Sequence, residues 1–344
     1  MSDSGVLTGP VMTGAREHRV WAVVEAARRV AVERAIVPRL VASTGLSREG
    51  VELALVRHLE VAPTDADVAQ LVACTPEAAA VAVILSANVF VGALRAIAIA
   101  CAASASVVVR PSRRDSVFAE ALVAMLPEIM LAPALRVEDV RAGELHVYGR
   151  DETIADVRRR AGEGVIVRGH GAGMGVAAIT TRDEAIALAD DVVAFDQRGC
   201  LSPRAAFVLG DVDGIAAALH EALSAAIPRG ALSAEERVEG ERYVATMAYA
   251  GRVLTGREHV IGIAEEGAPL VVPPTGRHLH LAPVTSFAEA TKLLAPYRHA
   301  ITAVGTDETE GAVIAPSWAR ISALGRMQRP PLDGPVDGRQ RSPS

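Results

Sequence analysis

Three cysteines are present, and Cys200 is the one whose surroundings could activate it. It stands in DVVAFDQRGCLSP, residues 191–203, beside Gly199 and ahead of Ser202 and Pro203, residue types that shape loops and expose backbone N–H groups. A thiolate there could be stabilised by those amides and so act as a nucleophile. The same position is compatible with a buried structural thiol, the commoner fate of a free cysteine. Cys74 and Cys101 lie in Ala-rich helical patterns and are expected to be inert core residues. No two cysteines have C-x-x-C spacing, which argues against zinc or a disulfide framework and fits a reducing cytosol.

Two further segments put polar groups where strands should end. Residues 80–86 are a short, continuous apolar run, as expected of a strand covered on both faces, and the run leads into Ser86-Ala87-Asn88. Ligands collect at the carboxyl ends of strands in open α/β sheets, and the Asn88 carboxamide could donate to an oxyanion there. A cap for the following helix is the commoner role of an asparagine in that place. VVVRPS, residues 107–112, sets Arg110 and Ser112 just past a second strand end, within reach of a nucleotide's ribose or phosphate. GHGAGMG, residues 169–175, satisfies G-x-G-x-x-G in no frame, so the usual dinucleotide fingerprint is missing, and His170 reads there as a solvated hinge residue. His278 and His280 alternate along one strand face without a third ligand at a recognisable spacing, so no metal site follows.

The elements that must position these groups follow from periodicity. Residues 16–76 carry apolar side chains at three and four spacings, with Ser47 as an N-cap and Gly50 inside the helix it opens. Strands and helices then alternate: strands at 80–86, 106–109, 144–148 and 165–168, with helices at 89–102, 115–126 (opened by its own Asp115) and 151–160. A second alternating stretch follows the glycine link, with strands at 176–180 and 205–209 and helices at 183–189 and 213–225. A long helix at 234–250 precedes strands at 259–263, 278–283 and 300–304. This order implies an α/β fold with parallel sheets. The expected division is a helical segment at 1–78, a Rossmann-like cofactor domain at 79–173, a catalytic cysteine domain at 174–325 and an extended, partly disordered tail at 326–344, rich in Pro, Gly and charge.

Composition narrows the function. Half of the 344 residues are hydrophobic but only 3% are aromatic, so Ala, Val, Leu and Ile supply the core. The net charge of -6 offers no basic stripe for a nucleic-acid backbone. Lys292 is the only lysine and sits in a helical pattern, which sets Schiff-base chemistry aside. The first residues lack the basic and apolar regions of a signal peptide. The apolar stretch at 79–105 is interrupted by Asn88, Gly92 and Arg95, and reads as a strand turning into a helix rather than a membrane span.

In order, these segments resemble the LuxC-like acyl-CoA reductase branch of the aldehyde dehydrogenase superfamily. The local matches are TGLSREGVELAL at 44–55, YGRDETIADVRRR at 148–160, FDQRGCLSP at 195–203 and LGRMQRPPLDGPVDG at 324–338. The resemblance implies an aldehyde-dehydrogenase-like fold with Cys200 as nucleophile and Asn88 as oxyanion donor. It also implies a nicotinamide cofactor held without the glycine fingerprint, with Arg110, Ser112 and Gly149 as cofactor contacts. The superfamily's strand-K-P-S segment touches the adenine ribose; Arg110 replaces that lysine, and a guanidinium suits a 2′-phosphate, so NADPH is the expected cofactor. The glutamate that activates water in oxidising members aligns with His170, which fits a reductase that must not hydrolyse its thioester and leaves His170 as a proton donor or acceptor.

The implied reaction is NADPH-dependent reduction of an acyl-CoA, or another activated acyl group such as an acyl carrier, to an aldehyde. An acyl-transferring or aldehyde-consuming enzyme is the partner such chemistry suggests. Two alternatives are an NAD(P)-dependent aldehyde dehydrogenase and a catalytically silent, nucleotide-binding scaffold. The chain is shorter than typical superfamily members, the missing length falling on the N-terminal arm and oligomerisation strands, which leaves homo-oligomerisation open.

Overall fold

The computed structural model describes residues 14–339. The opening segment, read for a signal peptide, and the last five residues of the expected tail lie outside the described residues, apart from Gly14 onward. The chain begins with α1 (Ala15–Val32), α2 (Ile36–Thr44), α3 (Arg48–Leu53) and α4 (Asp65–Ala73), with a π-helical turn, Ala54–His58, continuing α3. Ser47 caps α3 as expected: its hydroxyl accepts the Gly50 N–H at 2.9 Å. One stripe of α1, including Val20, Val23, Val24, Ala27 and Val30, is buried.

That stripe covers the first sheet through α5 (Gly92–Ala103), which is buried on all sides except at its first residue. The apolar stretch at 79–105 is thus β1 (Val81–Ile84) followed by a central helix, and among the described residues no helix is long and apolar enough to cross a membrane. β2 (Val107–Arg110), α6 (Val117–Ala124), β3 (Ile129–Leu131), β4 (Gly143–Tyr148), α7 (Asp151–Arg160) and β5 (Val165–His170) complete the unit. Its strands are all parallel in the order β3-β2-β1-β4-β5. The chain builds outward from β1 and then returns to β4, so the order reverses between β1 and β4, which opens a crevice at their carboxyl ends. Three residues, 171–173, connect β5 to β6 (Met174–Ile179) in the second sheet.

The second sheet contains β7 (Pro203–Val208), β8 (Gly251–Thr255), β9 (Val260–Ala264), β10 (His278–Pro283), β11 (Ile301–Gly305) and β12 (Arg320–Ser322), ordered β12-β11-β6-β7-β10-β9-β8. Only β8 pairs antiparallel. α8 (Arg182–Val193) and α9 (Val212–Ser224) cover one face, α11 (Phe287–Leu294) lies on the other, and α10 (Ala234–Ala250) packs Tyr243 and Met247 against β9. Because β5 hands over to β6, the carboxyl end of the first sheet meets the amino end of the second. The fold is mixed α/β with parallel sheets, as the residue pattern implies.

Several local expectations are corrected. β3 and β12 are three-residue edge strands too short to register as periods, and β8 follows α10 without a break in composition, the helix ending where Gly251 meets Ile263 of β9. α11, by contrast, contains Lys292, where the residues carry a helical pattern. α6 begins at Val117, two residues later than expected, and Asp115 accepts from Ser43 Oγ at 2.8 Å, tying this turn to α2. Cys101 is buried within α5, where burial pushes its thiol up to about 12, but Cys74 is exposed at the end of α4.

The segment at 326–339 has no regular structure, as expected, yet it is packed: Met327 and Leu332 are fully buried. Arg95 of α5 holds it by donating to the Pro330, Pro331 and Gly334 carbonyls while pairing with Glu60 at 3.0 Å. The Asp191 carboxylate accepts the Gly325 and Met327 N–H groups at 2.7 and 2.9 Å, and burial pushes it up to about 7 against those bonds. Composition had pointed to disorder because Pro, Gly and charge are read as solvent-facing, whereas here Asp333 pairs with Arg320 and Asp337 with Arg339.

Candidate active site

The cysteine loop is set by an unusual backbone. Phe195, Asp196 and Gln197, in the 3-10 turn between α8 and β7, have φ of 53, 50 and 62°. Left-handed angles are costly for residues with a Cβ, and each of these has specific partners. The Phe195 ring is buried against Phe90 and His58, with centroids at 6.4 and 5.3 Å. Asp196 accepts from Arg277 Nε at 2.9 Å and Nη2 at 2.8 Å, both side chains being almost wholly buried, and from the Gly230 N–H at 3.0 Å. Gln197 donates through Nε2 to the Pro203 and His278 carbonyls at 2.7 and 2.8 Å, and its Oε1 accepts the His278 N–H at 2.7 Å. These bonds tie the turn to both ends of the loop and to β10.

Cys200 follows, half-buried, in a turn closed by the Ser202 N–H on the Gly199 carbonyl at 3.1 Å. Thr302 of β11 donates to the Cys200 carbonyl. Glycine is required nearby because a Cβ on Gly175 would lie 2.3 Å from the Leu201 carbonyl oxygen. A Cβ on Gly199 would come within 3.4 Å of Val89 and 3.1 Å of Gln328 Oε1, so the cysteine loop abuts both the segment after β1 and the C-terminal segment.

Between these walls lies a cavity of about 320 Å³. Cys200, Asn88, His170 and Gly149 all line it, brought together from β1, β4, β5 and the turn before β7. Asn88 sits in the turn before α5 and is not that helix's capping residue, which is Val91. His170 is not a solvated hinge residue: it ends β5 and stacks on Tyr148 of β4, centroids 4.0 Å apart and planes 12° apart. Behind it, Glu144 is buried but held down to about 2, because the hydrogen bonds from His146 and Arg168 outweigh the burial that would raise it. Arg110 and Ser112 do not line the cavity. Arg110 ends β2, with its carbonyl accepting the Leu85 N–H at 3.0 Å, and Ser112 Oγ accepts the Arg114 N–H at 3.3 Å.

Sequence reasoning missed Arg204, Gln328, Tyr148 and Glu60, all of which line the cavity. Glu60 and Asp337 are its only carboxylates among the described residues. Each is tied to an arginine: Arg95 Nε donates to Glu60 at 3.1 Å and Arg339 Nε to Asp337 at 3.1 Å. Nothing in the residue pattern marks Glu60 or Gln328 as members of the site.

Comparison with known proteins matches this architecture to one family. The profile described as acyl-CoA reductase (LuxC) covers residues 63–340. The chain belongs to the LuxC acyl-CoA reductase family. No curated protein matches the chain. Among solved structures, a Mycobacterium tuberculosis aldehyde dehydrogenase complexed with NAD+ is similar at 18% identity and TM-score 0.62, over 89% of this chain and 77% of that one. NADP-dependent glyceraldehyde-3-phosphate dehydrogenase from Bacillus halodurans C-125, complexed with NADP, is similar at 13% identity and TM-score 0.65, over 90% and 78%. An NAD-dependent benzaldehyde dehydrogenase from Corynebacterium glutamicum is similar at 15% identity and TM-score 0.64, over 92% and 83%. At these identities the likeness is one of fold, and this LuxC-family protein has the aldehyde dehydrogenase fold. Family and fold together make it an aldehyde-related oxidoreductase.

The site depends on the buried pair behind it. Asp196→Ala strands the Arg277 guanidinium in the core and should cost about 3–5 kcal/mol, the usual loss on breaking a buried pair. Urea unfolding of the variant and parent measures this; a change under about 1 kcal/mol would mean that the pair does not hold the turn.

Proposed function

We propose that this protein reduces an activated acyl group, such as an acyl-CoA or acyl-carrier thioester, to an aldehyde through a thioester on Cys200. The observation that carries the reading is the convergence of Cys200 and Asn88 on one cavity whose two carboxylates are both engaged by arginine. A nucleophile and an amide donor are present there, and His170 stands where the resemblance places the water-activating glutamate of oxidising relatives, which favours reduction over oxidation of an aldehyde to an acid.

The Cys200 sulfur attacks the acyl carbonyl, and the Asn88 carboxamide and the Cys200 N–H donate to the oxygen as it gains charge. The leaving thiol takes a proton, for which the stacked His170 at the cavity wall is the candidate donor. A nicotinamide cofactor, when bound, supplies hydride to the thioester carbonyl. Asn88 again holds the oxygen, and the tetrahedral centre collapses to aldehyde, returning the Cys200 thiolate. The residues fit such a cofactor: the crevice between β1 and β4 opens beside Cys200, and Gly149, Gly171 and Gly173 leave its wall without side chains. Arg110 and Ser112, at the adjacent strand end, would hold the ribose phosphate, with NADPH preferred for the guanidinium's bidentate grip on phosphate.

Three experiments test this reading. Purified protein given an acyl-CoA and NADPH should oxidise NADPH and release thiol in equal amounts. Asn88→Asp should keep the parental melting temperature but lose turnover by a factor on the order of 100 or more, since an acceptor would replace an oxyanion donor; a stable, active variant removes Asn88 from the mechanism. Arg110→Ala should weaken NADPH by about tenfold more than NADH in direct titration. Equal losses would place the phosphate contact elsewhere.

A further inference from the structure

Arg204 has no role in the chemistry above, yet it is the least satisfied charge at the site. It is the second residue of β7, where Gly175 pairs with Pro203 and the next β6 residue, Val176, pairs with Ala205. Arg204 is therefore the extra residue of a bulge, a device that redirects a side chain near functional sites. It lines the cavity that holds Cys200, four positions before it in the chain. Its Nη1 is buried and, among the described residues, has no acceptor, and no carboxylate reaches ion-pair distance. Glu239 of α10 acts on it only through its field, and burial pushes the guanidinium down to about 10. Across the same cavity, Gln328 Nε2 is a second buried donor without an acceptor.

A buried guanidinium without a counter-charge is expensive, and an orphaned donor in a native structure calls for a ligand or another explanation. Of the other arginines at this cavity, Arg95 is held by Glu60 and three carbonyls, Arg198 by Glu236 and Arg339 by Asp337, while Arg150 is exposed to water. Arg204 alone among these keeps its charge and a buried donor in reserve. A planar fork with an amide donor lining the same cavity matches an anionic oxygen group between them.

We propose that Arg204 and Gln328 form an anion subsite beside Cys200, and that the acyl donor carries an anionic oxygen group within a few atoms of the carbonyl that Cys200 attacks. This rests on the reading of Cys200 as the nucleophile. The group is either a carboxylate on the acyl chain or the phosphoryl group of an acyl phosphate. The phosphates of a CoA thioester are a pantetheine arm away from the reacting carbonyl and do not meet the requirement.

The full-length protein is alkylated in parallel with iodoacetate and its neutral isostere iodoacetamide, and adducts at each cysteine are quantified by peptide mass spectrometry. The iodoacetate-to-iodoacetamide rate ratio at Cys200 should exceed that at exposed Cys74 by about tenfold or more, the scale of one charge-assisted hydrogen bond. Arg204→Met should bring the two ratios together, and Arg204→Lys should retain part of the difference. Equal ratios in the parent protein, or a ratio undiminished in Arg204→Met, overturn the subsite while leaving a reactive Cys200 intact. A Cys200 inert to both reagents defeats the nucleophile reading beneath it. Protection of Cys200 from iodoacetamide by glutarate but not by inorganic phosphate assigns the anion to the acyl chain, and the reverse assigns it to an acyl phosphate. Protection by neither overturns the proposal.

Discussion

Phe195, Asp196 and Gln197 hold positive φ in succession, at a cost of about 1–3 kcal/mol each, and the buried Asp196–Arg277 pair keeps them there. Arg277, itself at φ 65°, reaches back from the start of β10, so the pair clamps two strained stretches against each other. Without that reversal, α8 would run straight toward β7. With it, the chain turns sharply enough to present Cys200 at the junction of the sheets. Gln197 fixes the exit by bonding to Pro203 and His278, so the turn is specified from both sides.

What the turn presents is useful only because of the handover between sheets. The order β3-β2-β1-β4-β5 opens a crevice between β1 and β4, and the link after β5 carries the chain directly into β6. Asn88 and Gly149 come from the crevice side, Cys200 and Arg204 from the amino end of the second sheet. The C-terminal segment closes the third side, drawn in by Arg95 and Asp191. Removing side-chain volume is as important as supplying it: Gly175 lets the Leu201 carbonyl approach closer than a Cβ would permit.

Much of this was legible in the residues. Period changes marked most strands and helices, because buried parallel strands are unbroken apolar runs and helices carry three and four spacings. Cys200 stood out by its loop chemistry, and Asn88 by its place after a strand. Other features had no local signature. Nothing in AFDQ announces left-handed angles, since the partner that makes them affordable, Arg277, is 81 positions away. Arg204 reads as an ordinary strand residue until the register across β6 and β7 shows a bulge. The C-terminal segment misled because Pro, Gly and charge signal solvent exposure only when the charges lack buried partners. Cys74 misled in the opposite sense, its Ala-rich helix ending one residue too soon to bury it.

The central claim is that Cys200 carries the acyl group between two separable half-reactions. Mixing the protein with an acyl-CoA in the absence of reductant, then adding NADPH, and following intact and peptide masses through both steps tests it directly. The account predicts one acyl group appearing on Cys200 alone and vanishing on NADPH addition with release of one aldehyde. An acyl group on Cys74 or Cys101, or aldehyde formed at the full rate by Cys200→Ala, would contradict it.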